Sequence, residues 1–146
     1  MDLNRLKHSY AVACKMKEIG ISLNLCKEEI DSLFLLGFNH DIGYEFSIDG
    51  KEHGKIGGLI LKESGYKYWK EVYYHGIITD EYGSMYLDIL NQADMQIDKY
   101  GNDVGYDARL EDIKSRYGES SNVYNSCYNL IKSLKEKEEG ISLKKN

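Results

Sequence analysis

The chain has 146 residues, 42% hydrophobic and 29% charged, a composition suited to one soluble globular domain with a substantial core. Its formal net charge of -5 and pI near 5.4 speak against a basic nucleic-acid-binding face. No stretch approaches the roughly 18 consecutive apolar residues of a membrane span, so neither nucleic acid nor membrane is expected as a partner.

Leu3, Leu6, Tyr10, Ala13 and Cys14 recur at helical spacing and predict a first helix, with Gly20 as its stop. The next block, from Ile30 to Phe38, becomes apolar all round and predicts a central, buried helix ending at Asn39, His40 and Asp41. Residues from Phe46 to Gly50 read as loop. Ile56, Leu59 and Ile60 predict a helix closing at Gly65, and Trp69, Val72 and Tyr73 place another within Tyr66 to Tyr74. Tyr86, Leu90, Ala93 and Ile97 predict the next, and Leu110, Ile113 and Tyr117 one that stops at Gly118. Ser120 or Ser121 caps a last helix through Leu134. The aromatic cluster is expected mainly in the core, because such rings carry much apolar area.

With no proline and 14 glycines, the expectation is an all-α single domain over 1–146, of six or seven helices. Its core spans about 2–134, and 135–146 form a charged, fraying tail. Cys14, Cys26 and Cys127 are odd in number and lack a C-x-x-C pair, which fits a reducing cytoplasm and buried free thiols. The first residues lack the apolar run of a signal peptide, and a cytoplasmic location is expected.

All four histidines lie where ligands could converge. His8 is on the first helix, His40 is followed by Asp41, His53 opens a helix, and His75 ends the aromatic segment. Asp94 sits beside the apolar stripe of its helix, where an ionised carboxylate is costly without a partner. Imidazole with carboxylate suits transition metals, and two ions sharing a carboxylate can activate water against phosphorus. Spacing alone leaves open a hydrogen-bonded His-Asp pair and an Asp at the polar edge of its stripe.

The segments HSYAVA from His8, LLGFNHDIG through Gly43 and LNQAD ending at Asp94 resemble the HD-domain phosphohydrolase superfamily in order and context. The resemblance runs from His8 to Asp94 and implies an HD-type helical bundle. It implies that His8, His40, Asp41 and Asp94 hold one metal, and that His53 and His75 hold a second, bridged by Asp41. The implied ions are divalent or mixed-valence, iron or manganese first, with zinc, nickel, cobalt or magnesium as alternatives. The order H, HD, H, H, D is similar to that of bacterial diadenosine tetraphosphate hydrolases. Two departures put the substrate in question: Ile42, Gly43, Tyr44 and Glu45 follow the doublet where a lysine is common, and the segment after Asp94 differs.

Substrate contacts are expected from Arg109, whose fork suits phosphate, and from Lys55, two residues after His53. Both have surface alternatives, for Arg109 a pair with Asp112. Asp98, four residues beyond Asp94 on the same helical face, is expected beside Asp41 in the catalytic machinery, as a group that orients water or takes a proton, with a residue at the polar edge of the helix as the equal alternative. Tyr74 is the aromatic expected at the mouth. The expected function is metal-dependent hydrolysis of a phosphate ester or anhydride in a nucleotide or related small metabolite. The alternatives are a mononuclear 5'-nucleotidase and a non-catalytic metal- and nucleotide-binding module. A homodimer stays open.

Overall fold

The structure, a computed structural model, describes residues 2–47 and 52–145, with side chains up to residue 139. The described residues form seven α-helices and no strand: α1 (Leu3–Ser22), α2 (Lys27–Asn39), α3 (His53–Glu63), α4 (Trp69–Tyr74), α5 (Met85–Asp94), α6 (Gly105–Tyr117) and α7 (Asn122–Lys145). A 3-10 turn over Ile42–Glu45 follows α2. No described helix is long and apolar enough to cross a membrane. The all-α reading holds, and Ser121 is the cap of α7, its hydroxyl accepting from the Tyr124 N–H at 3.1 Å.

The helix α1 runs past Gly20 to Ser22. Gly20 is a packing residue there, because a Cβ would come within 2.9 Å of Leu33 Cδ1 on α2. Gly37 of α2 meets α1 in the same way, with Ala13 Cα 2.7 Å from the position of an added Cβ. The two helices therefore close into a tight hairpin, and the chain between them turns through Asn24 at φ 59°.

Which face of α1 is buried differs from the expectation. Leu3, Leu6 and Tyr10 are exposed, whereas His8, Ser9, Val12, Ala13 and Met16 point inward. The helix α2 is amphipathic and not central: Leu33 and Leu36 are buried, but Leu35 and Phe38 face out. In both helices the inward face is the one that delivers a histidine to the interior.

The main core joins Val12 and Met16 to Leu33, Leu36, Leu61, Val72, Leu90 and Ile97. Tyr66, Tyr68, Trp69 and Tyr86 pack on it, so most of the aromatic cluster is core. The helix α4 takes up only Trp69–Tyr74, the residues before it forming a turn. A second cluster, Met95, Leu130, Ile131 and Leu134 with Tyr106 and Leu110, holds the α6–α7 hairpin against the end of α5. The helix α7 runs on past Leu134. Tyr106 donates to Glu138 Oε1 at 2.6 Å, and Lys135 and Lys137 pair with Asp107 and Asp88. Of the expected loop, residues 48–50 lie outside the described residues.

Candidate metal centre

The helix ends bring the polar groups together. His8 sits on the second turn of α1, His40 caps the C-terminus of α2, and Asp41 follows it. His53 is the first residue of α3, His75 caps α4, and Asp94 is the last residue of α5. Three glycines on α3 let its neighbours close in. A Cβ on Gly57 would lie 2.9 Å from the Gly43 nitrogen of the 3-10 turn. One on Gly58 would lie 2.5 Å from Tyr73 Cβ, and one on Gly54 would lie 3.2 Å from the Val72 carbonyl that orients His75. Side chains at these places would hold His53 and His75 away from Asp41.

The distances place two overlapping groups of ligand atoms about one carboxylate. Asp41 Oδ2 is 3.2 Å from His40 Nε2 and 3.6 Å from His8 Nε2. Asp94 Oδ1 is 2.9 Å from His8 Nε2 and 3.4 Å from His40 Nε2. On the other side, Asp41 Oδ1 is 3.5 Å from both His53 Nε2 and His75 Nε2. The sets His8–His40–Asp41, His40–His75–Asp94 and Asp41–His53–His75 each converge closely enough to hold an ion.

Backbone carbonyls fix the orientation of three imidazoles. The Nδ1–H of His8 donates to the Asp98 carbonyl at 2.9 Å, that of His40 to Gly37 at 2.6 Å, and that of His75 to Val72 at 2.6 Å. Each Nε2 then points into the cluster, the usual arrangement behind a metal-bound histidine. His40 Nε2 is fully buried and faces the Asp41 and Asp94 carboxylates at 3.2 and 3.4 Å, an anionic pocket that a cation would satisfy. On these grounds the residues fit a metal ion.

The charges reinforce the point. Burial disfavours ionised carboxyls at Asp41 and Asp94, but His40 outweighs it and holds both well below the usual carboxylate range. For His40, burial opposes the charge, yet Asp41 and Asp94 together hold its pKa well above the usual 6.5. In the metal-free chain the carboxylate contribution is present above the ordinary carboxylate range and lost as pH falls through the depressed values. The His40 contribution is full below 6.5 and lost as pH rises through the raised value. A cation must displace that proton, so its binding strengthens as pH rises. The thermal shift on adding manganese is therefore expected to grow between about pH 5.5 and about pH 8. A shift independent of pH would separate the ion from His40.

The cluster lines a cavity of about 580 Å³, walled also by Arg5, Tyr44, Lys99, Arg109, Arg116 and Tyr117. Arg109, expected at the substrate, lies here. Three other expected residues do not. The helix α5 ends at Asp94, so Asp98 is not on its face. Its carboxylate accepts from the Tyr100 and Asn102 N–H groups at 2.9 Å, and what it offers the centre is its carbonyl, behind His8. Lys55 is exposed on α3 and is not part of the cavity wall. Tyr74 stacks on Tyr82 at 5.5 Å, also off the wall.

Two residues that the sequence did not point to stand at the centre. The Arg5 guanidinium lies 3.6 Å from Asp41 Oδ2 and 3.3 Å from the Tyr44 ring centroid. Tyr44 in turn stacks on His53 at 4.1 Å. Burial, then Asp41, pushes the Tyr44 phenol up to about 12, so the ring stays neutral between cation and imidazole. The one signal that could have found Arg5 is its place three residues before His8, on one side of α1. Tyr44 had no such signal.

The family model of the HD domain matches residues 5–102. No curated protein and no solved structure matches the chain. The match covers more than half of the sequence and contains all six converging ligands, and the chain belongs to the HD domain family.

Proposed function

We propose that this chain is a metal-dependent phosphohydrolase that holds two ions and acts on a phosphate ester or anhydride of a nucleotide or related small metabolite. HD domain proteins are generally metal-dependent hydrolases. The observation that carries the reading is the division of Asp41, one oxygen turned to His8 and His40 and the other to His53 and His75. His8, His40, Asp41 and Asp94 would hold the first ion; His53, His75 and Asp41 the second. Iron and manganese suit this mixed imidazole and carboxylate set. When bound, such ions favour deprotonated water near neutral pH and neutralise phosphate oxygens.

The chain's own groups do the rest. Arg5, fixed over Tyr44, presents guanidinium donors beside Asp41, where a phosphate oxygen would meet the cluster. The carbonyls behind His8, His40 and His75 keep each imidazole from turning, so the cluster is set before substrate arrives. The buried apolar side chains of Met95 and Ile113 line the same cavity.

The test is phosphate release by the manganese-loaded protein from dinucleoside polyphosphates, mononucleotides, cyclic nucleotides and sugar phosphates, with His53→Ala alongside. Turnover is expected, together with a drop from two ions to one and a rate loss of at least about a hundredfold in the variant. Turnover of mononucleotides that His53→Ala leaves intact would favour a one-ion nucleotidase. Metal without turnover would favour a binding module.

A further inference from the structure

The chain has three arginines, Arg5, Arg109 and Arg116, and all three line the cavity of the ligand cluster. Lys99 joins them on its wall. The same wall carries Asp2, Asp41 and Asp94, so these four cations stand among the carboxylates of the site in a protein of net charge -5. The arginines are not equivalent. Arg5 belongs to the cluster, within 3.6 Å of Asp41. Arg109 and Arg116 come from α6, beyond the residues that the family model matches.

Arg109 is the uncommitted one. Its side chain is 13% exposed, and its Nε and Nη1 are buried without a hydrogen-bond partner. Its ion-pair neighbour, Asp112, stands 3.9 Å away and is already hydrogen-bonded by Arg116 at 2.9 Å. Buried guanidinium donors left unpaired are costly, and an oxyanion is the partner their fork fits best. Among the described residues, Arg109 makes no ion pair with Asp41 or Asp94, so it does not duplicate Arg5. Cys127 lines the same wall: burial pushes its thiol up, Arg109 opposes that and Asp94 adds to it.

Resting on the hydrolase reading, we propose that Arg109, supported by Arg116 and Lys99, forms a second anion subsite that takes a phosphate distal to the one held at Arg5 and the ligand cluster. The substrate class is then compounds with two or more linked phosphates, in preference to simple phosphomonoesters. The cavity volume of about 580 Å³ leaves room for an organic group beyond them.

Calorimetric titration of the manganese-loaded full chain with inorganic phosphate and with pyrophosphate tests this. Free ion is removed beforehand and retained metal is counted afterwards, because pyrophosphate chelates. Pyrophosphate is expected to bind about tenfold to a hundredfold tighter than phosphate. Arg109→Gln should abolish that preference while metal content stays unchanged, pyrophosphate losing far more affinity than phosphate, and Arg109→Lys should keep part of it. Equal affinities in the unaltered protein, or an equal loss for both anions in Arg109→Gln with folding intact by thermal unfolding, would overturn the subsite. The two proposals fail separately. An Arg109-dependent pyrophosphate preference without turnover on the metabolite panel sinks the hydrolase reading alone, whereas turnover without that preference sinks the subsite alone.

Discussion

Asp41→Asn is expected to abolish turnover and to leave fewer than one ion bound per chain. Asp41 faces all four histidines with its two oxygens, the only carboxylate of the described cluster to do so. An amide keeps the shape but presents one neutral oxygen and an N–H₂ that repels a cation. Both ion positions lose an anionic ligand at once, so the loss should exceed that from any single histidine. The rate is expected to fall by at least about a thousandfold, equivalent to about 4 kcal/mol of barrier. The metal-free variant should still fold, since Asp94 remains within 3.4 Å of His40 to balance its charge. Metal counting, steady-state rates and thermal unfolding on the same preparation check the three parts. Full metal content in Asp41→Asn would remove the bridging role.

Gly43→Ala should have the largest effect of any single added methyl group near the site. The new Cβ would fall on the His53 carbonyl and lie 2.8 Å from the Gly57 nitrogen, both backbone, which cannot turn aside as a side chain would. The 3-10 turn and α3 would have to part. Overpacking of this kind costs about 1–3 kcal/mol, which for a chain of this size lowers the unfolding midpoint by about 4–10 °C. The functional consequence is more specific than the loss of stability. Separation carries His53 away from Asp41 while His8, His40 and Asp94 stay in place, because these are held by α1, α2 and α5. The second ion is therefore expected to weaken by about tenfold to a hundredfold and the first to be retained. Metal titration and calorimetry distinguish this from uniform destabilisation, in which both ions would weaken together.

The helices were largely legible because glycine and the spacing of apolar residues mark them: Gly65 at φ 84° and Gly118 at φ 90° both end a helix. The histidines and aspartates were legible as a set because each stands at or near a helix end. What failed has a common cause. The apolar stripe of α1 suggested Leu3, Leu6 and Tyr10 as core, but the inward face is surrendered to His8 and Ser9, and the leucines are left outside. Reading α5 through Ile97 put Asp98 on the face of Asp94, whereas the helix stops at Asp94 and Asp98 turns back to bond its own loop. Ile97 is buried all the same, through a bridge to Asp103 that helical periodicity cannot register. Arg5 and Tyr44 escaped notice because their role depends on a stack formed across three elements. Lys55 was placed by its nearness to His53 in sequence, but two positions along a helix point to different sides.

The most direct measurement is the number of ions bound per chain, by elemental analysis of protein reconstituted with manganese and freed of excess. Two ions are expected for the unaltered chain, one for His53→Ala and fewer than one for Asp41→Asn. One ion in both the unaltered chain and His53→Ala, or none under any loading condition, would contradict the two-ion reading.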